Sequence, residues 1–346
     1  MFLRNAWYVA AWSTEIGAAP FARTILDEPV VFYRLGNGSV VGLEDRCCHR
    51  GLPLSMGRIE GDRLRCGYHG LLFDETGTCI EVPGQSQIPP GAAVGAYPVR
   101  ARWGWIWIWM GDPDRADPAL IPDWWWMDHP EWRVVEGNRA TPLHIDCNYE
   151  LITDNLMDVS HLTYVHSSSI GAESIPDFPI KTERRTRSVH MTRWVLDRPA
   201  APFYQAAGKF VGNVDRWMIT DTDLPCHTVN DVGCAPVGTG AADGDRSQAI
   251  EFRVLNAPTP ETATSTHYFY ARPRRFAQDS AEMDEIFHTQ FDAVFIEDKE
   301  VLEAQQRQLD VALGAGRIDI NVDTPAIAVR RMLRAMIDRE SIVVAS

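Results

Sequence analysis

Two short patterns put thiols and imidazoles side by side: Cys47-x-His49 and Cys66-x-x-His69, with sixteen residues between His49 and Cys66. Side chains of these types at these spacings can hold a metal centre from two adjacent loops. A structural zinc is one solution, but Cys₂His₂ zinc fingers place both cysteines in one half and both histidines in the other. Here each half supplies one of each, which suits a Rieske [2Fe–2S] centre, where two cysteines hold one iron and two histidines hold the other. A chance spacing of four unrelated residues is the remaining alternative. Gly51, Gly67 and Gly70 lie in or beside these loops and would let backbone N–H groups approach the sulfurs. Cys48, Cys79, Cys147, Cys226 and Cys234 read as bystanders, since a free cysteine is usually a small buried hydrophobe.

A second cluster, Asp154, Asn155, Asp158, His161 and His166, occupies thirteen residues. On one continuous helix Asp154, Asp158 and His161 would share a face, whereas His166, ~500° further round than His161, would not. Both imidazoles can reach one metal only if the helix ends or bulges between them. Two histidines and one carboxylate, leaving open positions, form the facial triad of non-haem Fe(II) oxygenases. The acid-rich segment Ile296 to Glu300 is where the carboxylate is sought. Met283, Phe287, Phe291, Val294, Val301 and Leu302 step at three- and four-residue intervals, and Asp298 falls on that apolar stripe, with Glu297, Lys299 and Glu300 beside it. An aspartate there needs a cation, either a metal or a buried arginine. Asp298 is the expected third ligand.

The elements that must position these groups divide the chain. From Asp27 to Arg115, short apolar runs alternate with Gly, Pro and Asp, the signature of a small antiparallel β domain. The polar, proline-bearing stretch Gly111 to Pro118 predicts a boundary there, giving a domain over 1–115 and a mixed domain over 116–346. The second domain is expected to hold a helical stretch from Tyr149 to His166, β-like runs between Ser188 and Ala271, and a long helical stretch from Ser280 to about Ala312. Gly233 to Asp245, with its four glycines, predicts a mobile surface loop. Alternation of Trp103, Trp105, Trp107 and Trp109 predicts a strand in the core rather than an aromatic-binding surface.

With 33 Lys+Arg against 47 Asp+Glu, the 346-residue chain carries a formal net charge of −14. Such a surface repels phosphate backbones and anionic lipid, so neither nucleic acid nor membrane is an expected partner. The N-terminus lacks a signal-peptide pattern, and seven cysteines, an odd number, argue against a disulfide framework. A cytoplasmic setting is expected. No Rossmann-type glycine fingerprint follows a strand, so NAD(P)H would act only indirectly, through a separate reductase.

Taken in order, these residues resemble the oxygenase component of the Rieske non-haem iron oxygenases over essentially the whole chain. Asn5-Ala6-Trp7-Tyr8-Val9-Ala10, the segment Asp154 to Gly171, Val214-Asp215-Arg216-Trp217, and Thr259 to Thr262 leading to His267-Tyr268-Phe269 are similar to the vanillate O-demethylase group, with dicamba O-demethylase and some N-demethylases nearby. The resemblance implies an α+β architecture, a Rieske antiparallel β domain followed by a helix-grip catalytic domain in which a curved antiparallel sheet wraps a long helix. It implies a head-to-tail homotrimer, with electrons passing from one subunit's cluster to its neighbour's mononuclear iron and Asp158 bridging His69 to His161 across the interface. Asn155 matches a position near the iron, and Asp298 matches the family carboxylate. Cys48 departs from the family, which commonly has Pro there. The implied reaction is oxidative O-demethylation of a methoxylated aromatic acid, vanillate to protocatechuate plus formaldehyde, using O₂ and electrons from a flavin or ferredoxin type reductase. N-demethylation, methyl hydroxylation and ring dihydroxylation are alternatives on the same iron, and a Rieske electron carrier with a ligand-binding C-terminal domain is one of another class. Among polar residues, His227, Asn230 and His267 are candidates for the pocket.

Overall fold

The computed structural model describes residues 1–311 and 318–344. Two compact units result, one of residues 1–121 with 259–263, the other of residues 122–258 with 264–346. The first is all antiparallel β. Trp7–Trp12, Trp105–Trp109 and Val99–Arg102 form one sheet, Phe21–Ile25, Glu28–Arg34, Val40–Glu44 and Ala96–Tyr97 a second, and Arg58–Glu60, Arg63–Arg65, Leu72–Phe73 and Cys79–Glu81 a third. The tryptophan run is a core strand from Trp105, buried on both faces. Trp103 differs from expectation: it sits in the hairpin turn with φ near 60°, its ring under the Arg102 guanidinium.

The second unit is built on a seven-stranded antiparallel sheet in the order Leu143–Ile145, Ser265–Ala271, Ile250–Thr262, His227–Pro236, Val214–Asp223, Ser188–Arg198, Lys181–Arg184. Its apolar face packs on a long helix. That helix begins at Ala281–Ile286, passes through a π-helical turn at Phe287–Phe291 and continues as Asp292–Val311. Phe203, Phe252, Phe287, Phe291 and Phe295 interlock between sheet and helix, with Phe287 and Phe291 stacked 5.0 Å apart across the π turn. Ala312, the expected end of this helix, lies outside the described residues. Val301 is exposed, and its neighbour Leu302 is the residue that takes the buried place.

Two expectations fail here for physical reasons. The stretch from Gly233 is not a mobile loop at its start, since Gly233–Pro236 complete the strand His227–Pro236. Gly233 serves packing: a Cβ there would lie 2.3 Å from the Trp217 indole and 2.6 Å from the Ile250 carbonyl oxygen. The helical stretch from Tyr149 also stops early, at Met157. Asp158 turns extended (φ −106°, ψ 98°), and a single helical turn, Leu162–Val165, follows. A terminal helix, Thr324–Val344, packs against Tyr149–Met157 and was not foreseen.

Candidate active site

Cys47 and Cys66 begin two loops of matching construction. In the first, the Cys47 N–H donates to the Leu52 carbonyl and the Gly51 N–H to the Cys47 carbonyl. In the second, Cys66 donates to Leu71 and Gly70 to Cys66. Gly51 and Gly70 both take positive φ (72° and 76°), which lets each loop close tightly. Both cysteines are buried, and burial pushes the Cys47 thiol up to about 11, while the His49 backbone N–H points at it and acts the other way. His49 and His69 are exposed, their rings 4.5 Å apart. The donors thus form a buried sulfur pair and an exposed imidazole pair. No three of them gather within 4.8 Å of one another, as one tetrahedral zinc would require. This layout fits a [2Fe–2S] cluster, which Cys47, Cys66, His49 and His69 would hold.

The second group converges on a point. His161, His166 and Asp298 each offer one ligand atom, all within 4.8 Å of one another. Asp298 Oδ1 lies 3.1 Å from His166 Nε2 and 3.5 Å from His161 Nε2, the edge lengths expected around an ion bound at about 2.1 Å. The break after Met157 makes this possible, because it frees His161 from the helix that would have separated it from His166. Each imidazole is oriented through its other nitrogen. His161 Nδ1 donates to the backbone carbonyl of Asp158, and His166 Nδ1 donates to Glu297 Oε2 at 2.6 Å. Both Nε2 atoms are thereby left as the inward donors. Burial pulls the His166 imidazole down, but the hydrogen bonds and charges of Asp298 and Glu297 outweigh it, and its pKa stays raised. Two carboxylates on a fully buried imidazole call for a cation, which a divalent metal supplies.

Asn155, at the end of the first helix, donates from Nδ2 to Asp298 Oδ1 at 3.0 Å. Asp158 meets His161 through its carbonyl, whereas its carboxylate accepts from the Ser160 N–H at 2.7 Å. Arg193 donates to Ser160 Oγ at 2.9 Å and supports the same turn. Asp154 does not join the group; it pairs with Arg330 at 3.1 Å. Glu297, expected beside the stripe, is the residue that the sequence reading passed over. Its contact is one step round the helix from Asp298, and no periodicity marks it.

The triad lines a cavity whose space, counted with its open mouth, is about 650 Å³. Leu156, Val159, Leu162, Val254 and Phe295 make its walls apolar. Asn230 and Asn256 reach it as polar groups, as does Arg216. His227, buried under the Trp124 ring, and His267 are not among its lining side chains. Cys48 is exposed, and the four remaining non-ligand cysteines are buried. Among the described residues no helix is long and apolar enough to cross a membrane.

Residues 6–98 match the Rieske [2Fe-2S] domain family, and residues 145–339 match the vanillate O-demethylase oxygenase C-terminal domain family. The chain is 42% identical to the iron-sulfur subunit of the toluene-4-sulfonate monooxygenase system of Comamonas testosteroni, over 99% of each chain. It is 38% identical to the vanillate O-demethylase oxygenase subunit of Pseudomonas sp. strain HR199, over 98% of this chain and 96% of that one. The crystal structure of dicamba monooxygenase bound to dicamba superposes with a TM-score of 0.90 at 35% identity, covering 99% of both chains. A Rieske domain followed by a vanillate-demethylase-type catalytic domain, over the full length of such relatives, places the chain in the family of Rieske non-haem iron oxygenases.

Proposed function

We propose that this oxygenase component hydroxylates a methyl carbon of an aromatic acid, with O-demethylation of vanillate to protocatechuate and formaldehyde as the specific reaction. The observation that carries it is the convergence of His161, His166 and Asp298 on one point in the wall of an apolar cavity. The [2Fe–2S] cluster would be held by Cys47, His49, Cys66 and His69, and the mononuclear iron by the triad. When bound, these cofactors supply one-electron reduction and O₂ activation. The balance is one O₂, two electrons and two protons per methyl group, giving water and a hydroxymethyl ether; that hemiacetal then breaks its C–O bond to release the phenol and formaldehyde.

The chain's own residues do the positioning. Asp158 and Glu297 fix the two imidazole rings, and Asn155 holds the Asp298 carboxylate. The apolar walls exclude water and set the methyl group against the triad. Electrons would come from NAD(P)H through a separate reductase, and exposure of His49 and His69 gives the cluster an edge at its unit's surface. A head-to-tail homotrimer, His69 of one chain meeting Asp158 of the next, would complete the path in a cytoplasmic enzyme.

Hydroxylation of an aryl methyl group is the second reading, favoured by the toluene-4-sulfonate monooxygenase relative. One experiment separates them. Anaerobically prereduced protein is mixed with vanillate or toluene-4-sulfonate, O₂ is admitted, and products are read by mass spectrometry. Protocatechuate with formaldehyde in near single-turnover amounts supports O-demethylation, and 4-(hydroxymethyl)benzenesulfonate supports the second reading. Neither product, with the cluster reoxidised, would refute both substrates.

A further inference from the structure

Arg216 sits on the strand Val214–Asp223, 4% exposed, with its side chain in the wall of the cavity that also holds the triad. Its Nε and Nη1 have no hydrogen-bond partner, and among the described residues no carboxylate pairs with it. Strand alternation explains why. Arg216 lies opposite Cys234, Met218 opposite Val232 and Thr220 opposite Asn230, so this face of the sheet carries neutral neighbours. Asp231 belongs to the other face, where Arg246, Arg253 and the Trp217 indole engage it.

The nearby polar groups offer no anion. Tyr204, whose ring centroid is 4.9 Å from the guanidinium, is kept a neutral phenol by burial. The Cys234 thiol, pushed up by burial to about 12, is neutral too. Asn230 and Asn256 satisfy each other in a chain from Tyr268 Oη to Asn256, to Asn230, to Thr220. Asp298, the cavity's other charged side chain, is engaged by His166 and Asn155. A buried guanidinium without a counter-ion is costly, and that cost is removed when an anion enters.

We propose that Arg216 anchors an anionic substituent of the substrate, a carboxylate or a sulfonate, so that the cavity selects aromatic acids over neutral aromatics. This rests on the cavity being the substrate pocket, and it names a specificity-determining residue there. The test is binding without turnover. Calorimetry on the anaerobic holoenzyme compares 4-methoxybenzoate and toluene-4-sulfonate with neutral methyl 4-methoxybenzoate, in wild type, Arg216→Gln and Arg216→Lys. At least one anion should bind wild type roughly 30-fold more tightly than the ester, and which one does identifies the acid group. Arg216→Gln should lower that anion to the level of the ester, leave the ester within about twofold, and melt no lower than wild type without ligand; Arg216→Lys should retain part of the preference. The proposal is overturned if wild type shows no preference for either anion, if Arg216→Gln keeps the preference, or if that variant melts lower and weakens anion and ester alike. Tight Arg216-dependent binding with no oxygenated product would refute the proposed reaction and leave the anchor standing, whereas product formation by Arg216→Gln at unchanged KM would do the reverse.

Discussion

Removing the Glu297 carboxylate tests whether the triad holds a metal. The Glu297 carboxylate accepts from His166 Nδ1 at 2.6 Å, with its side chain 39% exposed. Screening at such a site makes its direct Coulomb attraction for an ion small. What remains is orientation of the ring and basicity of Nε2, and loss of such partners costs about 10- to 100-fold in metal affinity, or about 1.4 to 2.8 kcal/mol. One effect opposes this. Glu297 also helps hold the His166 pKa up, so its removal weakens the proton that competes for Nε2. Asp298 acts more strongly than Glu297 on that proton, so the opposing effect is the smaller. Glu297→Ala should therefore weaken ferrous iron binding by at least about tenfold, and Glu297→Gln, whose amide oxygen can still accept from Nδ1, by less. The assay is anaerobic titration of the iron-depleted mononuclear site against a chelating indicator, with cluster absorbance as the control for folding. Affinity of the Ala variant within twofold of wild type, or a larger loss with Gln than with Ala, would refute the assignment of this residue.

Asp298→Ala should abolish mononuclear iron and product while keeping the cluster's absorbance, and Cys66→Ala should bleach the cluster; metal analysis and reduced-state EPR read both. His227, pulled down by burial to about 3 from 6.5, is neutral in the fold, so the unfolded chain binds the extra proton and stability falls as pH drops from 6.5 toward 3. At pH 5 this amounts to about 2 kcal/mol, which His227→Gln should largely remove; equal losses in both proteins between pH 7 and pH 5, by thermal or urea unfolding, would contradict it. Gly233→Ala forces a Cβ into the Trp217 indole and the neighbouring strand, and should destabilise by about 1–3 kcal/mol; a melt indistinguishable from wild type would mean that the strands move apart freely.

What the sequence disclosed depended on how many residues each signal spanned. The Rieske loops were legible because four donors and their glycines lie within short, rigid turns whose closure is local. Asp298 was legible because a charge on an apolar stripe is anomalous wherever the stripe packs, even though Val301 on the same stripe is exposed. The histidine pair was legible only as a condition, that the helix must break between them. Asp158 meets that condition at the end of the helix, with Arg193 bracing the turn through Ser160 from a strand that no local pattern could connect to it. Glu297 and Arg216 were hidden for opposite reasons. Glu297 looks like any acid on a helix, and the imidazole it meets is 131 residues away. Arg216 looks like an ordinary strand arginine, and its meaning lies in what does not face it. Sheet register places Met218, Val232 and Cys234 around it and sends Asp231 to the opposite face, so an unpaired charge becomes visible only once strands are aligned. The expected ligands can thus be read from local pattern, while the groups proposed here to orient an imidazole and to anchor an anion depend on contacts between distant segments.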